Sequence, residues 1–204
     1  MNEEIIIGKI KTSKTELIDL TKAWVVISLA FAAIFTGANL MEGTIGRIIS
    51  LNFVELFFWS LVTTGIGFLL HELGHKFAAQ HYGCVAEFRA WDQMLYFALG
   101  LAVVIGFLFA APGAVMISGM ITRKENGIIS LAGPAVNYVL AMIFFGLAYF
   151  FPYKIFSWGV TINIWLGLFN MIPFGNFDGI KIFYWNKWIW CGMVVLGIGG
   201  YFWL

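Results

Sequence analysis

The stretch from Leu56 to Leu70 carries no charged residue and runs straight into His71-Glu72-Leu73-Gly74-His75. An uncharged run of this kind reads as helix inside a bilayer. Ionisable groups at its end are unfavourable there, by about 2.5–3.5 kcal/mol for a charged side chain, unless something binds them. On a helix, residues at i and i+4 share a face with Cβ atoms about 6 Å apart, so both imidazoles can reach one ion. Glu72 projects about 100° round the axis, near enough to hold a metal-bound water without occupying the metal. This is the HExxH arrangement of zinc hydrolases. The competing reading, interfacial polar residues ending a membrane helix, leaves all three groups uncompensated.

The rest of the chain suits the same environment. Of 204 residues, 61% are hydrophobic and 11% charged, where soluble domains carry about 25% charged residues, so the chain belongs in a bilayer. A net charge of +1 gives no pull toward nucleic acid, and none is expected as a partner. Cys84 and Cys191 cannot build a disulfide framework, and Cys84 is expected as a small buried hydrophobe. Glu3, Glu4, Lys9, Lys11, Lys14, Glu16 and Asp19 interrupt the apolar core a cleavable signal peptide would need, so residues 1–21 are expected to form a surface arm.

A catalytic zinc takes about three protein ligands and keeps one position open for water. His81 would complete an HExxHxxAxxH pattern, but Ala78 stands where a metzincin-type turn needs glycine. On the continuous helix that Ala78-Ala79-Gln80 favours, His81 points about 80° away from His71. The other candidate is Asp178, just past an apolar span in Asn170-Met171-Ile172-Pro173-Phe174-Gly175-Asn176-Phe177-Asp178-Gly179. A carboxylate at membrane depth needs a cation. Lys181 could supply one near the surface, but a zinc shared with His71 and His75 accounts for all three unfavourable residues together. Asp178 is the expected third ligand.

In chain order, the pattern predicts a spanning helix from Ala23 to Met41, a turn from Glu42 to Ser50, and a second helix from Asn52 to His81 that Gly83 stops. Cys84 to Gln93 is polar, and Met94 to Ala111 is apolar until Pro112-Gly113 breaks it. Ala114 to Met120 reads as a short strand, with Ile128 to Leu131 as its partner across a turn from Arg123 to Gly127. Gly133-Pro134 opens a helix running to Phe151. Ser157 to Ile172 is apolar up to Pro173, and Tyr184 to Leu204 is a last span with aromatics near both ends. If His75 and Asp178 lie at one depth, Met94–Ala111 must return to the side it entered. It is therefore expected to re-enter, broken near Gly100 or Gly106 and packed on protein. Lys76, Arg89, Arg123, Lys124, Lys181 and Lys187 then fall on one side and Arg47 and Lys154 on the other, which turns the histidine end toward the cytoplasm.

Three motifs in this order carry a resemblance: HExxH ending a membrane helix, Gly133-Pro134-x-x-Asn137 starting a later one, and Asn170-x-x-Pro173 leading to Asp178-Gly179. Together with the strand-like Pro112-Gly113-Ala114-Val115, they make the chain, from about Asn52 to Gly179, similar to the site-2 protease family of intramembrane zinc proteases. The resemblance implies a core of helices holding one Zn2+ per chain through His71, His75 and Asp178, with Glu72 as general base. It implies membrane-anchored protein substrates, often regulators of transcription such as anti-sigma factors. Asn170 matches a family position that helps hold or polarise the substrate. Gly175-Asn176 departs from the prolines the family often has ahead of Asp-Gly.

The expected architecture is an all-α polytopic membrane protein with about five or six transmembrane helices, a small membrane-associated β-hairpin and a re-entrant segment. It forms one membrane-embedded metalloprotease domain over residues 1–204, with its catalytic core at 52–179, in the cell membrane with the active site toward the cytoplasm. The expected chemistry is metal-assisted peptide hydrolysis, with Glu72 moving the proton. Substrate must arrive extended, and the Ala114–Met120 strand, through Val115 and Ile117, is expected to receive it by edge addition. Asn137 is expected to be structural, bonding between helices, while Thr63, Thr64, Asn163 and Asn170 are expected to line a path for water. A metal transporter using the same His/Asp site is the rival class, but transport gives Glu72 no task.

Overall fold

Ser13 serves two elements at once. It ends the second strand of a hairpin, β1 (Glu4–Ile7) and β2 (Ile10–Ser13), and its hydroxyl accepts from Glu16 N at 3.2 Å to cap helix α1 (Lys14–Thr36). The first long helix therefore starts at Lys14 rather than Ala23, because a cap and buried partners for Glu16 and Asp19 make the charged turns helical. The computed structural model describes residues 4–8, 10–108 and 113–203.

A continuous 31-residue rod, Leu51–His81, carries the HExxH sequence. It comprises α2 (Leu51–Ser60), a π-helical turn (Leu61–Gly65) and α3 (Ile66–His81). The turn packs on α1, with Trp24 Nε1 donating to Leu61 O at 2.9 Å. The expected helix from Asn52 to His81 matches this rod closely.

After α3 come strand β3 (Val85–Ala90), helix α4 (Asp92–Ile105) and strand β4 (Gly113–Ser118). β3 and β4 pair antiparallel, with Phe88 opposite Val115, Ala86 opposite Ile117 and Ala90 opposite Gly113. The strand expected at Ala114–Met120 is present, but its partner is β3, not Ile128–Leu131. The small sheet is therefore no hairpin, since α4 lies between its strands. Ile128–Leu131 belongs to helix α5 (Arg123–Phe150), which a capping box opens. Thr122 Oγ1 accepts from Glu125 N at 3.3 Å, and Glu125 Oε2 accepts from Thr122 N at 2.7 Å. The residues expected as a turn at 123–127 are thus the first turn of α5, and Gly133-Pro134 falls inside this helix. The break expected at Pro112 lies outside the described residues.

Helices α6 (Lys154–Asn170), α7 (Asp178–Trp185) and α8 (Lys187–Trp203) complete the chain. Asn186 divides the expected last span, its side chain accepting from Trp188 N at 3.0 Å. Among the described residues, three helical stretches are long and apolar enough to cross a membrane: α1, the Leu51–His81 rod and α5. The chain is a mostly helical membrane protein with two small antiparallel sheets.

Candidate metal centre

α3, α5 and α7 converge on one point. His71 and His75 stand one turn apart on α3, and Asp178 is the first residue of α7. All three are buried. Asp178 is set there by its neighbours: Trp190 Nε1 donates to Met171 O at 2.7 Å, anchoring the loop. A Cβ at Gly179 would collide with Met171 O, so only glycine lets the loop backbone lie against the start of α7. Lys181 Nζ is 3.8 Å from Asp178 Oδ1, while Oδ2 faces the imidazoles, so the lysine is no substitute for a cation between the histidines.

The donor atoms fit a zinc ion. Tetrahedral zinc with bonds of about 2.0–2.1 Å needs donors about 3.3–3.4 Å apart. His71 Nε2 and His75 Nε2 are 3.1 Å apart, and Asp178 Oδ2 lies 3.0 Å from His75 Nε2 and 3.4 Å from His71 Nε2. Among the described residues these three form the group of His, Cys, Asp and Glu side chains able to hold a metal. Two nitrogens and a carboxylate oxygen are donors zinc accepts. His81, the alternative third ligand, is not brought to this point. It is exposed at the end of α3, its ring edge-on to Tyr82, because the helix continues straight to it.

The backbone and side chains behind the imidazoles fix which nitrogen is free. His71 Nδ1 is 2.6 Å from Asn137 Oδ1, and His75 Nδ1 is 2.8 Å from Ile129 O. Asn137 is oriented by its own amide, which donates to Gly67 O at 3.0 Å and Asn163 Oδ1 at 3.2 Å. Facing acceptors only, each Nδ1 carries the proton and each Nε2 keeps its lone pair for the metal. Pro134 leaves the Ser130 carbonyl without its helical donor and loosens that turn of α5. One residue back, Ile129 offers its carbonyl to His75. A Cβ at Gly133 would collide with His75 Nε2 and crowd His71 Cε1, so the Gly-Pro pair is what allows α5 to press against both imidazoles.

Asn137, expected to bond between helices, does so, joining α5 to His71 and Gly67 of α3 and to Asn163 of α6. An amide in the middle of an apolar helix was the available signal, since such a group must find a bond. Asn163, expected along a water path, instead supports Asn137 and donates to Gly159 O at 2.8 Å. Thr63 donates to Trp59 O at 2.8 Å and does not line the cavity.

A cavity of about 370 Å³ opens at the metal centre and is lined by Glu72, Thr64, Val115, Ile117 and Asn170 among others. Glu72 is buried beside the donor trio but is not part of it. Val115 lines the same cavity as Glu72. The Asn170 amide donates to Leu166 O at 2.9 Å, which leaves its second N–H for another acceptor.

A buried His/His/Asp trio with an adjacent glutamate on an HExxH helix defines a zinc metalloprotease. The chain is 40% identical to the Methanocaldococcus jannaschii protein named "Putative zinc metalloprotease MJ0611" over 91% of this chain and 93% of that protein. It is 29% identical to the Rip2 protein of Mycolicibacterium smegmatis, of the same zinc metalloprotease name, over 63% of this chain and 57% of that one. It is 24% identical to zinc metalloprotease MJ0392 of Methanocaldococcus jannaschii over 76% of this chain and 39% of that one. No protein-family model and no solved structure matches the chain. On these relatives the chain belongs to the site-2 protease family, and its cofactor is Zn2+.

Proposed function

We propose that the chain hydrolyses peptide bonds of membrane-anchored proteins inside the bilayer, with zinc held by His71, His75 and Asp178. The observation that carries this reading is the burial of that trio at the end of an apolar 31-residue helix. Zinc held there supplies Lewis-acid polarisation of the scissile carbonyl and of the attacking water. Glu72 takes the proton from that water and passes it to the leaving amine. Asn170 has a free N–H in the same cavity and serves the substrate carbonyl.

A helical peptide bond is shielded, so the substrate lies extended along β4. β3 occupies one edge of that strand, and Val115 and Ile117 on the other edge line the cavity beside Glu72. The working unit is one membrane-embedded domain with its catalytic core at 52–179; the stretch expected as a surface arm instead forms the β1–β2 hairpin and the first turns of α1, which bury Glu16 and Asp19.

α6 and α8, of 17 residues each, bring the crossings to about five. The chain enters along α4 and is back beside the start of that helix at β4. With 14 residues α4 is about 21 Å long, short of a hydrocarbon core of about 30 Å. Its first residue Asp92 bonds Lys22 near the start of α1, while Val103 and Val104 accept from Leu40 and Met41 past the end of α1. Gly106, with φ 71°, stops it, and β4 begins opposite Ala90, back beside its start. Arg89, Arg123, Lys124, Lys181 and Lys187 lie at the metal-bearing end against Arg47 and Lys154 at the other, which turns that end to the cytoplasm. Lys76 drops out of the charge tally, being paired with Glu16 in the interior.

The test is cleavage of a panel of single-span membrane peptides reconstituted in vesicles, with and without zinc and with Glu72→Gln as control. Zinc-dependent cuts within the apolar span are expected. Cuts confined to the soluble flanks, or unchanged cutting by Glu72→Gln, would overturn the reading.

A further inference from the structure

The two edges of the β3–β4 sheet are treated differently. Alternate backbone groups of β3 point away from β4, and side chains occupy them. Gln80 Nε2 donates to Ala86 O at 3.2 Å, Phe88 N donates to Glu16 Oε1 at 2.8 Å, and Ala90 N donates to Asp19 Oδ2 at 3.3 Å. Helices α1 and α3 thus close the back edge with side chains. On β4 the residues opposite these three are Ile117, Val115 and Gly113, all lining the cavity. Among the described residues no strand pairs with the other edge of β4, which lies on the side of the cavity where Glu72 stands.

Glu16 joins this sheet to the catalytic helix. It is fully buried, and its Oε2 accepts from Lys76 Nζ at 2.5 Å and from Thr12 Oγ1 at 2.7 Å. Lys76 is the residue after His75, buried to 2% exposure. One carboxylate therefore grips α3 next to a metal-site histidine and, through its other oxygen, the backbone of Phe88. Phe88 stands directly across the sheet from Val115, which lines the cavity together with Glu72 of α3. Lys76, Glu16, Phe88 and Val115 thus form a chain of contacts from the HExxH helix, through the sheet, to the cavity that Glu72 lines.

We propose that Glu16 and Lys76 are positioning residues that fix where the docking edge of β4 stands relative to Glu72, and so which peptide bond is cut. The proposal rests on the reading of β4 as the strand that receives substrate. Neither residue touches the substrate. Their ion pair holds the helix-to-strand spacing, and loosening it lets neighbouring bonds of one bound segment come opposite Glu72.

The test is the double variant Glu16→Gln/Lys76→Met. It removes both charges together, so no lone buried charge remains, and it keeps an acceptor for Phe88 N. The probe is the best-cleaved single-span peptide of the panel, in vesicles. Zinc content, kcat, KM and the positions of the cuts by mass spectrometry are measured together. Full zinc content is expected, with kcat lowered by roughly ten- to hundredfold and new cuts at bonds adjacent to the original one. Glu16→Asp, which shortens the tie while keeping its charge, is expected to spread the cuts in the same way. A single unshifted cut with kcat/KM within about twofold of the parent would overturn the proposal. So would a loss of rate merely proportional to lost zinc, which is the mark of a structural role. Ile117→Pro separates the underlying reading, because proline at an edge strand is tolerated but removes the N–H that added substrate needs. Normal cleavage by Ile117→Pro means that β4 is not the docking strand. Lost cleavage there, with unshifted cuts in the double variant, leaves docking intact and removes only the positioning role.

Discussion

The Leu51–His81 rod buries polar side chains in two places and treats them in opposite ways. Near its C-terminal end His71, His75 and Lys76 are buried, and each is bonded to a different neighbour: Asn137, the Ile129 carbonyl and Glu16. At the π-helical turn Ser60 and Thr64 are equally buried. Yet their hydroxyls are, among the described residues, the buried side-chain polar atoms with no partner. An unpaired buried polar group destabilises by about 1–3 kcal/mol, so a network and an orphan on one helix are not equivalent. At the metal end the neighbours determine the orientation of His71, His75 and Lys76. At the turn the packing asks only for small volume, as where a Cβ on Gly65 would collide with Trp24 and Ser28.

Substitutions at the two ends should therefore differ in kind as well as in size. The largest effect is expected for Glu72→Gln, whose cleavage rate should fall by about 10²–10⁴-fold, with zinc content unchanged by elemental analysis. Loss of zinc in this variant would mean that Glu72 belongs to the donor set. Lys76→Met leaves Glu16 buried and unpaired and is expected to destabilise by about 3–5 kcal/mol, read as a lowered unfolding midpoint in detergent. An unchanged midpoint would make the metal end as tolerant as the turn. Asn137→Leu removes the acceptor that fixes His71 and is expected to weaken zinc binding by about 10–100-fold, measured by competition with a chelator. The smallest effect is expected at the turn. Thr64→Val keeps the volume and removes an orphan hydroxyl, so stability should hold or rise by less than about 1 kcal/mol. A clear loss would show that the hydroxyl has a partner, such as an ordered water in the cavity it lines.

Much of the metal end was legible in the sequence because its signals are local or chemically unfavourable. HExxH fixes two imidazoles on one helix face without reference to the rest of the fold, and Asp178 in an apolar setting demanded a cation. What escaped depends on pairing between distant segments. β4 was readable as a strand, but β3 carries charged Glu87 and Arg89, and its membership shows only once the two strands meet. The capping box of Thr122 and Glu125 was in plain sight, but its charged first turn has the composition of a loop. Asn137 stood out as polar, yet its bond to His71 depends on how α5 crosses α3, which no periodicity encodes. The first helix was placed too late for a similar reason. Glu16 and Asp19 read as surface charges until Lys76 and the β3 backbone are seen to bury them.

The proposed grip of three side chains from two separate helices on one ion is tested most directly by zinc stoichiometry. Asp178→Ala and His81→Ala would be purified side by side with the parent protein, and their zinc measured after identical dialysis. The expected result is loss of most zinc from Asp178→Ala and a full complement in His81→Ala. Zinc retained by Asp178→Ala and lost from His81→Ala would contradict the centre formed by His71, His75 and Asp178.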